Sequence, residues 1–422
     1  MSPSMMFAKK NKIFLATLAL YSVSSVAIEP QTMKFGGFDF VPSLQVKQSF
    51  DSNILNASSN KEEIDSWITE FSPKFLLEKD YGGDLYRFSY EIDSALYYSS
   101  SDDNYTNQAL KGDIQWVLDR YNRLRISGDY TIDHEQRGDG YSIGFGEYYK
   151  QPTQFTVTQA GAVYSYGALS ALARIDLKAK VQDVSWESLY ESDLNVDILD
   201  VGNGLNPDEI DYTRWREYSM NEIGATFFRR LTGKTQLTAD LTIRNFNYAD
   251  DPFQIDNLDS KQDAFYLGVE WESTGLTTGY AKFGYERKEF DSQNRGDASG
   301  VRWLVGVLWT PLTYSNFDFS TSRQTTEQKG LGNAIDNTYV GLSWHHKWLN
   351  RLSTTLNVAS SNDKYSGTAR EDDNGLYEAK AHYHMRRNLD IVAAINYTDR
   401  DSNQEIFDYS GMRVNLSVLV SL

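Results

Sequence analysis

His382 and His384 stand two residues apart, with Glu378 and Lys380 before them at the same spacing. Along a strand, residues i and i+2 project from one face, so two imidazoles placed this way could ligate one metal ion. No third ligand stands at useful spacing, so the expectation is two histidines in a hydrogen-bonded wall and no metal. Asp208, Glu209 and Asp211 form an acidic stretch that could hold calcium against lipopolysaccharide, but a solvated surface loop is the favoured reading. The other histidines are His134, His345 and His346, and none defines a catalytic set. Neither a nucleophile elbow nor a phosphate-binding loop is expected. The chain has no cysteine, which excludes a disulfide framework and a thiolate metal site. A non-enzymatic chain with no catalytic residues and no cofactor follows.

The elements carrying these residues alternate in period two. Ile175, Leu177, Ala179 and Val181 alternate with Arg174, Asp176, Lys178 and Lys180. Val301, Trp303, Val305, Val307 and Trp309 share one face, as do Leu389, Ile391, Ala393, Ile395 and Tyr397. Such runs are strands with one apolar face. About eighteen are expected, at 36–50, 64–79, 85–99, 105–119, 123–135, 154–166, 170–187, 213–230, 234–248, 263–274, 278–290, 300–312, 314–327, 335–348, 352–366, 375–387, 389–400 and 406–422. Sixteen is the alternative, because 154–187 and 312–340 alternate poorly. Short turns such as Tyr81-Gly82-Gly83-Asp84 and Arg387-Asn388 interleave with long polar loops such as 136–153 and 188–212.

Composition narrows the class. Aromatic residues make up 14% of the 422, yet mean hydropathy is −0.52 and only 40% of residues are hydrophobic. A soluble core rich in aromatics would carry more aliphatic residues. A transmembrane barrel shows lipid only one face of each strand and concentrates aromatics in interfacial girdles. Tyr97, Tyr98, Trp116, Trp271, Trp303, Trp309, Trp344 and Trp348 are expected in those girdles. The fold class is therefore all-β: a transmembrane antiparallel β-barrel with short periplasmic turns, long extracellular loops and both termini periplasmic. The rival is a soluble β-sandwich, which would need bulky inward packing throughout.

Lys9, Lys10 and Lys12 precede an apolar stretch, Ile13 to Tyr21, and Ser25-Val26-Ala27 offers small residues for signal peptidase. Residues 1–27 are expected to be a signal peptide and 28–422 the barrel domain of a Gram-negative outer membrane. Cleavage takes the net charge from −17 to about −20, which repels nucleic acid. The last strand places Met412, Val414, Leu416, Val418, Val420 and Leu422 on one face. Its pattern resembles the C-terminal signal read by the outer-membrane assembly machinery, with Leu422 where Phe is usual. Lipid, lipopolysaccharide and that machinery are the expected partners.

Charges cannot face hydrocarbon cheaply, at about 2–4 kcal/mol for a midplane Arg or Lys. The pore wall is therefore read as Arg87, Glu91, Asp93, Lys111, Asp113, Arg123, Arg125, Asp129, Arg174, Asp176, Lys178, Lys180, Asp240, Arg244, Glu270, Glu272, Lys282, Glu286, Arg302, Glu378, Lys380, Arg386 and Arg413. About eighteen strands enclose more space than wall side chains fill.

Phe40-Val41-Pro42-Ser43-Leu44 and Phe50-Asp51-Ser52-Asn53-Ile54, then Ser72-Pro73, Asp103-Asn104-Tyr105 and Asp133-His134-Glu135-Gln136-Arg137-Gly138, resemble in order the porin-like outer-membrane β-barrel family of exopolysaccharide and capsule biosynthesis loci. The resemblance is clearest over 36–140. It implies a conduit or accessory barrel in exopolysaccharide export, with polysaccharide and periplasmic export proteins as partners, and carries over no catalytic residue. A general or substrate-specific diffusion porin and a plugged structural or adhesive barrel are the alternatives.

Overall fold

The computed structural model describes residues 33–421 apart from 59, 197–208, 251–256, 273–275, 329 and 331. The signal-peptide expectation, Asp208 and Leu422 fall outside them.

The described strands are β1 (Met33–Phe35), β2 (Phe38–Asp51), β3 (Ser66–Tyr81), β4 (Asp84–Tyr97), β5 (Tyr105–Val117), β6 (Asn122–Glu135), β7 (Thr153–Tyr166), β8 (Ala173–Trp186), β9 (Tyr218–Arg230), β10 (Thr235–Tyr248), β11 (Ser260–Trp271), β12 (Thr277–Phe290), β13 (Ala298–Leu312), β14 (Ser315–Glu327), β15 (Ala334–Leu349), β16 (Leu352–Tyr365), β17 (Glu371–Arg386), β18 (Leu389–Ser402) and β19 (Tyr409–Ser421). β1 is a three-residue strand folded back on β2. β2 to β19 each pair antiparallel with their chain neighbours, and β19 pairs with β2 from Arg413 opposite Asp51 to Ser421 opposite Ser43. The ring thus closes with eighteen strands. The poorly alternating stretches 154–187 and 312–340 form full strands within it.

Closure is what the sequence demands. Outward residues such as Leu177, Val181, Val358 and Leu416 are exposed apolar side chains. A sheet carrying them into lipid can leave no edge, because backbone groups there find no water. Strand chemistry also explains a local defect. The β3–β4 ladder lapses at Ser72-Pro73, where proline has no N–H to give.

Turn length differs at the two ends. Gly82 and Gly83, both at positive φ, let β3 turn directly into β4. At the opposite end, 136–152 and the 187–217 connection are long. The girdle expectation needs one correction. Tyr97 is 6% exposed and packs inward against Ile54, Leu55 and Ile68. It is the last residue of β4, on the same face as Arg87 and Glu91, and long loops cover that end. Its neighbour Tyr98 is 67% exposed.

Candidate functional site

Register carries one polar face around the ring. Arg87 lies opposite Asp113, Lys111 opposite Asp129, Lys180 opposite Glu222, and Arg413 opposite Asp51. The same alternation places Glu91, Asp93, Arg123, Arg125, Arg174, Asp176, Lys178, Asp240, Arg244, Glu270, Lys282, Glu286, Arg302, Glu378 and Lys380 on this inward face. Glu272 and Arg386 differ in position. Glu272 lies just beyond β11 and Arg386 ends β17 after a bulge, so both stand at the short-turn rim and are exposed.

Most of these charges meet an opposite charge, across the ladder or along their own strand. Arg87 Nε donates to Glu78 at 2.6 Å, Arg125 Nε to Asp113 at 2.6 Å and Arg244 Nε to Glu222 at 2.7 Å. Lys282 sits between Asp240 and Glu270 at 2.9 and 3.2 Å. Arg302, 1% exposed, lies between Glu286 and Asp336. Lys111 and Lys178 make no ion pair among the described residues. Lys111, Arg123, Arg125, Arg174, Lys178 and Lys180 face Asp113, Asp129, Asp133 and Asp176 on the inward wall of β5–β8, which leaves it a small excess of positive charge. The partners Glu78, Glu222, Asp51 and Lys74, which pairs with Glu91 at 3.0 Å, escape a reading that ranks strands singly, because only register shows which charge faces which.

The segment 136–152, joining β6 to β7, crosses the long-loop end. Gln136 Nε2 donates to the Ile54 carbonyl, and Lys61 Nζ donates to that of Gly144 at 2.7 Å. Arg137 donates through Nε to Asp103 at 2.7 Å, a bond that raises the pKa of its guanidinium. Tyr149 bridges to Leu194 in the β8–β9 connection, and Phe145 meets Phe407 edge-on at 6.3 Å in the β18–β19 connection. Gly330, in the β14–β15 connection, lies against Tyr141. That connection is eight strands from 136–152, nearly half the circumference, so the segment spans the mouth as a lid.

Glycines allow this close crossing. Gly138 takes φ of +82°, and a Cβ there would stand 1.6 Å from the Leu55 carbonyl oxygen. The run Gly140-Tyr141-Ser142-Ile143-Gly144 matches a nucleophile elbow as a string, which corrects the expectation that none is present. Its structure is a 3-10 turn, not a strand-to-helix elbow. Ser142 Oγ donates to the Asp139 carbonyl at 2.8 Å and accepts from Gly138 N at 2.9 Å, so the serine holds the lid's own turn.

Against the lid lies a cavity of about 290 Å³, lined by Tyr141, Tyr149, Tyr212, Trp215, Arg216, Arg370 and Phe407 among others. Arg216 is 3% exposed. Its guanidinium carbon stands 4.5 Å from the Tyr141 ring centre and 5.3 Å from that of Trp186. Nη2 donates to Tyr149 Oη at 3.2 Å, and Glu135 is 3.9 Å from Nη1, while Nε and Nη1 make no hydrogen bond. Arg370 is instead satisfied by Asp372 through Nε and Nη2. Burial pushes the Tyr141 hydroxyl far above the usual tyrosine range, so it stays a neutral donor. Asp211, from the acidic stretch, accepts from Thr213 N and Oγ1 at 3.0 and 2.7 Å and so anchors the turn leading to Arg216.

The histidine pair acquires a third partner that spacing along one strand could not reveal. Asp390 of β18 lies opposite His384 in register, and Asp390, His382 and His384 form a potential ligand group.

A closed inward-charged barrel with a loop across its mouth is a channel architecture, and residues 26–193 and 230–422 match the family model described as "Putative beta-barrel porin 2". The chain belongs to this family of β-barrel porins. It is a porin-like outer-membrane barrel. The internal stretch left unmatched, 194–229, includes Tyr212, Trp215 and Arg216. A comparison with curated proteins finds no match. Among solved structures, the outer-membrane protein OpdK of Pseudomonas aeruginosa is 13% identical, with 91% of this chain and 99% of that one covered and a TM-score of 0.46. OccK2 (OpdF) of the same organism is 11% identical, with 92% and 99% covered and a TM-score of 0.49. A BenF-like porin of Pseudomonas fluorescens is 12% identical, with 91% and 99% covered and a TM-score of 0.49.

Proposed function

We propose that this porin is a substrate-selective diffusion channel for small acidic solutes. The carrying observation is Arg216, a buried guanidinium with two nitrogens unsatisfied in a tyrosine- and tryptophan-lined cavity under the lid. A planar fork of donors suits a carboxylate, and the aromatic faces suit an apolar or sugar body. Below it, the small positive excess on the inward wall of β5–β8 would draw an anion inward. The long-loop end faces the cell exterior and the termini face the periplasm in this reading. Residues 194–229 then set the choice of solute, since Arg216 sits where the chain departs from the family model.

The export conduit implied by the resemblance is the rival reading, and the lid weighs against it. A segment bound at five loop connections narrows the mouth to small solutes, whereas a polymer strand needs a continuous bore. Planar-bilayer conductance and liposome swelling, with small carboxylates, sugar acids and neutral sugars of matched size, test the proposal. Anion preference and faster carboxylate uptake are expected, with both reduced in Arg216→Gln. Absence of conductance and swelling would overturn it. Passage of a high-mass polysaccharide with small solutes excluded would favour export.

A further inference from the structure

We infer that His382, His384 and Asp390 form a binding site for one divalent transition-metal ion of the zinc class, on the inward face near the short-turn rim.

The hairpin builds the site. His382 and His384 project inward from β17, and Asp390 projects inward from β18, directly opposite His384. Only the Arg387-Asn388 turn and a bulge at the end of β17 separate the strands. Asp390 Oδ1 is 2.8 Å from His384 Nδ1, and Oδ2 is 2.9 Å from His382 Nε2. The two imidazole centres are 4.3 Å apart. Metal–nitrogen bonds of about 2.0–2.1 Å place neighbouring ligand atoms about 3 Å apart, so these separations match the edge of a coordination polyhedron.

Satisfaction of the polar atoms points the same way. His382 is 6% exposed and Asp390 1% exposed. Yet His382 Nδ1, His382 Nε2 and Asp390 Oδ2 make no hydrogen bond. Nε2 and Oδ2 approach to 2.9 Å without hydrogen-bond alignment. Asp390 Oδ1 is hydrogen-bonded to His384 Nδ1, so the buried His382 imidazole and the Oδ2 atom of Asp390 each carry the cost of an unmet hydrogen bond. A shared cation removes both costs at once. Two imidazoles and one carboxylate suit zinc, cobalt or nickel better than the hard cations magnesium and calcium, which take oxygen ligands. Lys380, the nearest inward cation on β17, is paired with Glu378 at 3.1 Å. Three protein donors leave a coordination position for water or a passing solute, unlike a closed four-ligand structural site.

The untagged full-length barrel, folded in detergent and stripped with EDTA, would be titrated with Zn²⁺ by calorimetry and with Co²⁺ by visible absorption. One equivalent is expected to bind, with at least about tenfold weaker affinity in His384→Asn and in Asp390→Asn. His134→Gln, altered at the long-loop end, should bind as the parent does. X-ray absorption of the zinc-loaded parent should show two imidazoles, a readout independent of whether the variants fold. No stoichiometric binding, equal binding by parent and both folded variants, or a shell without imidazole would each overturn the site.

Discussion

Arg413 of the last strand donates through Nε to Asp51 of β2 at 2.8 Å, so residues 362 apart in sequence close the barrel as register partners. Asp51 also accepts from Asn53 N at 3.0 Å, and the Asn53 side chain donates to Ala57 O at 2.8 Å and to Ser410 O at 3.1 Å. The first loop, the seam and the start of β19 are thereby tied at one point. Asp51→Asn or Arg413→Gln should each destabilise the folded barrel by about 1–3 kcal/mol, a charge-assisted hydrogen bond at a part-exposed site. The temperature at which gel mobility shifts to the unfolded form reads the effect. In the double variant the loss should be less than the sum, because the partners act as one unit. Strict additivity would show that the pair is not coupled.

The seam also predicts what a truncation does. Residues 418–421 pair with Val46 through Ser43. Deleting 418–422 opens the short-turn half of that ladder to lipid, at several kcal/mol for each unsatisfied backbone group. No heat-modifiable, membrane-inserted protein is expected. Normal insertion of the truncated chain would mean that closure does not depend on β19.

The lid should govern passage. Replacing residues 139–147 by a short glycine-serine linker removes the crossing but leaves every barrel strand intact. Single-channel conductance should rise, and the preference for acidic solutes should fall, because the segment that roofs the Arg216 cavity is gone. Gly138→Val tests the same contact by strain: its Cβ would meet the Leu55 carbonyl at 1.6 Å, at a φ that β-branched residues disfavour. The variant should insert normally and conduct like the loop deletion. Unchanged conductance in both would place the constriction elsewhere.

Strand number, face and the grouping of long and short connections were legible because each follows from period two and from turn residues. Eighteen barrel strands fall where alternation puts them, even in the weak stretches 154–187 and 312–340, because neighbours on both sides enforce pairing there. Two kinds of feature were not legible. Cross-strand partners such as Asp390 for His384, or Glu222 for Arg244, depend on register, which no single strand encodes. The lid depends on where a loop goes after leaving its strands, and Arg137, Ser142 and Arg216 look like ordinary loop polar residues until the mouth assembles around them. Tyr97 shows the same limit: its parity marks an inward residue, but its aromatic character and position near a strand end suggested a girdle.

Register makes the sharpest remaining test, on β8. Leu177 points outward and is 47% exposed, while Lys178 points inward with no ion pair among the described residues. Leu177→Arg would place a cation in hydrocarbon, costing about 2–4 kcal/mol near the midplane, and should lower folding yield into liposomes. Lys178→Glu should fold as the parent does. It changes the charge of the inward wall of β5–β8 by two units, so anion preference should fall and cation permeation should rise in a planar bilayer. A slip of one residue would exchange the two faces and reverse the folding results. Equal folding of both variants would therefore contradict the register of β8. Normal folding of Lys178→Glu with selectivity identical to the parent would leave the register intact but remove β8 from the path of the permeating solute.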